Sequence, residues 1–174
     1  ILSTFISVAQ KEISLVSWNI QDFGKSKSTE TIAQIANILK TYDIVALQEV
    51  VSGYGGAQTV AKLADELNRK GAKWDYVISN PTKSPPYKTE RYAYLWKPSK
   101  VMAIGRGNLV VELQSSVYRE PFEMTFRVDG KIFKILNYHS RKYNDHPEEE
   151  IKLLIQYVVK QNTPTILVGD FNIT

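Results

Sequence analysis

The segment Tyr42-Asp-Ile-Val-Ala-Leu-Gln-Glu-Val50 decides the architecture. Its centre, Ile44 to Leu47, is a continuous apolar run, the pattern of a strand covered on both faces. Polar Gln48 and Glu49 follow at once. Upstream, Ile32, Ile35, Ala36 and Leu39 recur at helical spacing, behind Ser28 or Thr29 as cap and Glu30 in the first turn. Before that helix, Ile13 to Trp18 is a short β-rich run. Downstream, Val60, Leu63, Ala64 and Leu67 mark a second amphipathic helix, with Gly71 where a C-terminal cap belongs.

Beyond Gly71 the alternation of strand and helix gives way to strands. Trp74 to Ile78, Arg91 to Trp96 and Val101 to Ile104 read as strands separated by proline-containing turns. Phe122, Met124, Phe126 and Val128 alternate with polar residues, and Asp129-Gly130 turns the chain back into Lys131 to Tyr138 as a hairpin. Pro147 with Glu148, Glu149 and Glu150 opens a helix, since proline fits the first helical position and acids complement the helix N-terminus. Its apolar positions Ile151, Leu154, Ile155 and Val158 are expected to face inward. Thr165 to Val168 is the last strand. The expected class is α/β (α+β): a two-sheet sandwich flanked by helices.

Composition bounds the function. A chain of 174 residues with 43 % apolar and 23 % charged residues is an ordinary globular domain. The net charge of +4 suits an anionic partner, but the excess is dispersed, without a Lys/Arg block. The absence of cysteine excludes disulfides, thiolate zinc sites and a cysteine nucleophile. No run approaches the ~18 apolar residues of a membrane-spanning helix. Residues 1–10 are apolar and small up to Lys11, and Ser7-Val-Ala9 has the small-x-small form of a signal-cleavage site. These residues read as a signal-peptide remnant or a leading segment, and 11–174 as the domain. The expected location is secreted or periplasmic, otherwise cytoplasmic.

Chemistry-bearing residues cluster just past apolar strands. Asn19 follows the first, Glu49 follows Ile44 to Leu47, His139 follows Lys131 to Tyr138, and Asp170 with Asn172 follow Thr165 to Val168. In helix-covered sheets, ligands gather outside the carboxyl ends of strands. Each residue alone has an ordinary structural explanation. Together they supply oxygen ligands for a hard cation and a histidine for proton transfer. Of the two histidines, His146 lies in the polar stretch opening the last helix and reads as cap or surface.

These residues carry a resemblance. Trp18-Asn-Ile-Gln-Asp-Phe-Gly24, Tyr42 to Val50, Glu90-Arg-Tyr-Ala-Tyr-Leu-Trp96, Arg119-Glu-Pro121, Tyr138-His-Ser140 and Gly169-Asp-Phe-Asn172 are similar to the endonuclease/exonuclease/phosphatase superfamily. The Glu-Arg-Tyr and Arg-Glu-Pro segments resemble its deoxyribonuclease I branch. The resemblance implies Glu49 as the main Mg²⁺ ligand, with Mn²⁺ or Ca²⁺ as alternatives, and Asn19 beside it holding metal or scissile phosphate. It implies His139 as the acid/base imidazole, Glu90 as the acid that orients it, and Arg119 as a phosphate contact. Asp170 and Asn172 would position the attacking water and stabilise developing charge. Read without the resemblance, Glu90 and Arg119 would be a surface ion pair.

The pattern is departed from in three places. The family carries a further Asp and a Ser-Asp-His segment with a second histidine, which the sequence does not contain up to Thr174, so the fold is expected to lack its C-terminal part here. The branch places an arginine two residues after the metal glutamate, where this chain has Val51. The cysteines of the secreted animal enzymes are absent. The function expected is Mg²⁺-dependent endonucleolytic hydrolysis of DNA. The alternatives are a phosphodiesterase or phosphatase acting on a lipid or small phosphorylated substrate, and a non-catalytic anion-binding remnant.

Overall fold

The computed structural model describes residues 11–85 and 87–173; the candidate signal remnant at 1–10 lies outside them. The chain order is β1 (Leu15–Phe23), α1 (Thr29–Leu39), β2 (Ile44–Val51), α2 (Gly56–Asn68), β3 (Asp75–Ile78) and β4 (Glu90–Trp96). It continues with β5 (Met102–Leu109), β6 (Phe122–Val128), β7 (Lys131–His139), α3 (Pro147–Val159) and β8 (Thr165–Asp170). The strands form two four-stranded sheets, ordered β1-β2-β4-β3 and β5-β6-β7-β8. Each sheet is mixed: β1/β2 and β7/β8 are parallel, and the remaining pairs are antiparallel. The expected sandwich flanked by helices is the fold.

Period-two alternation divides each central strand between two layers. Ile44 and Ala46 of β2, with Tyr92, Tyr94 and Trp96 of β4, meet Phe122, Met124, Phe126 and Ile135 of the second sheet. Val45, Leu47, Ala93 and Leu95 face the other way, onto the buried stripes of α1 and α2. That is why Ile44 to Leu47 is apolar at every position. Between the sheets, the Tyr94 ring lies 5.4 Å from Phe122 and 5.9 Å from Phe126. Its hydroxyl donates within reach of Phe122 O at 3.0 Å and Ile135 O at 2.9 Å, tying β4 to β6 and β7.

Local signals match the chain's turns and caps. Ser28 Oγ accepts from Thr31 N at 3.1 Å, capping α1. Asp129 and Gly130 both take positive φ (47° and 78°), as the tight β6–β7 hairpin requires. Pro147 opens α3 behind His146, which is exposed and sits at the N-cap. Two expectations need correction. β1, β2 and β5 run further than the apolar runs indicated, so Asn19 and Glu49 lie within their strands rather than past the ends, and His139 and Asp170 are the last residues of β7 and β8. Ile155 does not face inward: it is 51 % exposed, whereas Glu150 and Leu154 on the same helix are fully buried. α3 is therefore turned so that a charged residue shares its inner face.

Candidate active site

The backbone aims the site residues. β1 keeps register with β2 from Leu15↔Ile44 to Asn19↔Gln48, then shifts before Phe23↔Val50. On its other side β2 breaks register with β4 between Leu47 and Val50. Both irregularities include Glu49, which adopts φ 58°, uncommon for a residue with a Cβ. Bulges of this kind re-aim a side chain. In the second sheet the parallel β7/β8 register ends at His139↔Asp170, so imidazole and carboxylate arrive side by side at the strands' carboxyl ends. Gly169 makes this possible. A Cβ there would lie 1.8 Å from Tyr138 O, and its φ is +149°.

The side chains converge across the two sheets. Asn19 Nδ2 donates to Glu49 Oε1 at 2.9 Å and to Asp170 Oδ2 at 2.8 Å. His139 Nε2 lies 4.0 Å from Glu49 Oε1 and 3.9 Å from Asp170 Oδ2. On its far side, His139 Nδ1 is 2.9 Å and 3.1 Å from the two Glu90 oxygens. A carboxylate there accepts, which makes Nδ1 the protonated nitrogen and leaves Nε2 facing the cleft. Arg119 Nε stands 3.3 Å from Glu90 Oε2, without the alignment of a hydrogen bond, and Nη1 donates to Ser140 O at 3.1 Å. Glu90, Arg119 and His139 are all buried. The surface ion pair that residue types alone would give for Glu90 and Arg119 is thus a buried triad with His139.

Asn172 is placed less directly. Its backbone N–H caps Asp170 Oδ1 at 3.1 Å, and its Nδ2 is 3.5 Å from Ser140 O. Glu49, Glu90, Arg119, His139, Asp170 and Asn172 all line one open cleft of about 650 Å³.

The donor set suits a hard cation. The two carboxylates fix the Asn19 amide with its NH₂ toward them. Among the described residues its buried Oδ1 meets no donor and points away from both carboxylates, so it is the amide turned over that would offer a carbonyl to an ion beside Glu49. Among the described residues, Glu49 Oε2 accepts only from Asp22 N, at 3.1 Å. No three acidic or imidazole side chains among the described residues enclose an ion. A carboxylate in an open cleft fits a cation that retains several waters, as Mg²⁺ does.

Several supporting residues were not identified from sequence. Tyr92, fully buried, accepts the His139 backbone N–H at 3.2 Å. Burial first, and then the Glu90 charge, pushes its hydroxyl well above the ordinary tyrosine range, so it stays neutral. Gln48 and Asn137 form a buried pair joining the sheets, with Asn137 Nδ2 donating to Leu47 O at 3.0 Å beside the bulge. The signal was present: Glu90, Tyr92 and Tyr94 stand at i, i+2 and i+4 on one face, each with a polar tip.

Residues 16–174 match the Endonuclease/Exonuclease/phosphatase family. The chain belongs to that family. Among curated relatives, a deoxyribonuclease of a Thioalkalivibrio species is 31 % identical over 180 residues, covering 96 % of this chain and 48 % of that protein. Deoxyribonuclease-1 of Bos taurus is 32 % identical over 173 residues, covering 92 % of this chain and 60 % of that protein. The chain therefore spans about half the length of these relatives. A solved family protein from Leptotrichia buccalis superposes with a TM-score of 0.62 at 16 % identity, covering 92 % of this chain and 67 % of that one; this likeness bears on fold alone.

Proposed function

We propose that this domain hydrolyses phosphodiester bonds of DNA with the help of Mg²⁺, held by Glu49 and Asn19. The observation that carries the reading is the convergence of Asn19, Glu49 and Asp170 on the Nε2 side of His139, with Glu90 behind the ring. The names of the two curated relatives support DNA as substrate.

When bound, the cation neutralises charge on the phosphoryl oxygens. Asp170, bonded to Asn19 and capped by Asn172 N, orients the attacking water and accepts its proton. As the water oxygen bonds to phosphorus, the bond from phosphorus to the leaving oxygen breaks in line. His139 reacts as the imidazolium: Nε2 gives its proton to that oxygen and the ring is left neutral with its Nδ1 proton on Glu90, which holds the ring throughout. Arg119 faces the same cleft and contacts the non-bridging oxygens.

Val51, partly buried and lining the cleft, offers no cation to a duplex groove. That favours a small or lipid phosphodiester as the second reading. Nicking of supercoiled plasmid by the natural full-length protein tests both. The expected result is Mg²⁺-dependent nicking, abolished by chelation and by Glu49→Gln. Intact plasmid together with hydrolysis of a small phosphodiester would transfer the assignment to the second reading.

A further inference from the structure

Glu150 is a charged residue that the proposed chemistry does not use, yet it is completely buried. An unpaired buried carboxylate costs several kcal/mol, so its partners explain why the fold retains it. Oε1 accepts the backbone N–H of Tyr118 and lies 3.1 Å from Arg141 Nη2. Oε2 accepts the backbone N–H of Arg141 at 2.9 Å. The carboxylate thus joins two segments that are not neighbours in sequence. One ends in Arg119 and the other continues directly from His139 through Ser140.

Those segments are the two sides of the Arg119 contact, because Arg119 Nη1 donates to Ser140 O at 3.1 Å. The inner face of α3 points to the same conclusion. Glu150 takes an inward position beside Leu154, while Ile155 is 51 % exposed. The helix thereby delivers a carboxylate to these backbone groups.

Building on the proposed hydrolysis, we infer that Glu150 is a positioning residue: it clamps the Tyr118–Arg119 and Ser140–Arg141 segments together and thereby sets Arg119 and His139 against the substrate phosphate. It touches no substrate itself. A displacement of ~1 Å at a positioned group can cost ~10²-fold in rate.

The test is a double-mutant cycle in the natural full-length protein. It compares Glu150→Gln, Arg119→Ala and their combination in plasmid nicking, with inorganic phosphate affinity as a second readout. Leu67→Ala, which loosens the end of α2 in the other core layer, is the control. The expected result is a loss of about 10²-fold for Glu150→Gln that nearly vanishes when Arg119 is already alanine. Leu67→Ala should lower stability but leave the rate per folded molecule unchanged. Equal losses for Glu150→Gln in both backgrounds, or an equal loss from Leu67→Ala, would overturn the clamp. If Glu150→Gln does not fold, Glu150→Asp, which keeps the charge but shortens its reach, takes its place with the same expected coupling. A wild-type protein that cleaves no phosphodiester would sink the hydrolysis reading alone, and the cycle in phosphate affinity would then decide the clamp.

Discussion

At the scale of single residues, charge placement controls the site. Glu90 meets the His139 ring with both oxygens, and a neutral amide there would keep the ring placed but lose the counter-charge. Glu90→Gln is expected to lower turnover by ~10²-fold or more with little change in fold, measured as nicking rate beside a circular-dichroism melt. Unchanged turnover would mean that the acid has another task. Far from the cleft, Asp43 supplies a pH-dependent contribution to stability. Burial by itself would raise its pKa, but hydrogen bonds from Ser14 N and Oγ at 3.1 Å and 2.9 Å, with Lys97, outweigh that and hold it below the usual carboxylate range. A depressed folded pKa gives stability that is present above the unfolded value of about 3.9 and lost as pH falls through the folded value. Asp43→Asn should therefore cost roughly 1.5–3 kcal/mol in urea denaturation at neutral pH and progressively less below about pH 4. An equal cost at both pH values would rule out the ionised pair as the cause.

At the scale of elements, geometry rather than charge limits what can be changed. Gly169 lets β8 lie against Tyr138 closely enough for His139 and Asp170 to end in register. Gly169→Ala is expected to destabilise the domain by roughly 1–3 kcal/mol, and to reduce turnover at temperatures where the protein stays folded, because Asp170 must shift. Full activity in a folded Gly169→Ala protein would show that the strands tolerate the displacement. Much of this layer was legible in the sequence. Ser28, Asp129-Gly130 and Pro147 act over one to four residues, and each sits where local chemistry put it. Asn19, Glu49, His139 and Asp170 were legible because apolar strands deliver polar residues to one end of a sheet. The Gln48–Asn137 pair and the inward turn of Glu150 were not. The first depends on partners 89 residues apart, and the second on backbone donors that no side-chain pattern records.

At the scale of the whole molecule, β8 pairs with β7 alone among the described residues, leaving its other edge without a strand. Ile155, Val159, Ile166 and Ile173 are exposed on β8, on α3 and just past β8. Open edges beside apolar surface invite pairing with another chain. A polypeptide of residues 1–174 expressed alone is expected to self-associate at micromolar concentration, as light scattering behind a sizing column would show. A stable monodisperse monomer would contradict this. The bond from Asn19 to Asp170 has a temporal consequence as well. It closes across 151 positions of chain, between β1 and β8. A ribosome must release all of these before the two residues can meet, so a nascent chain shorter than that lacks the Asn19–Asp170 bond. In a refolding experiment the Trp18 signal of the first sheet should recover first, with the proposed phosphodiesterase activity the last property to return.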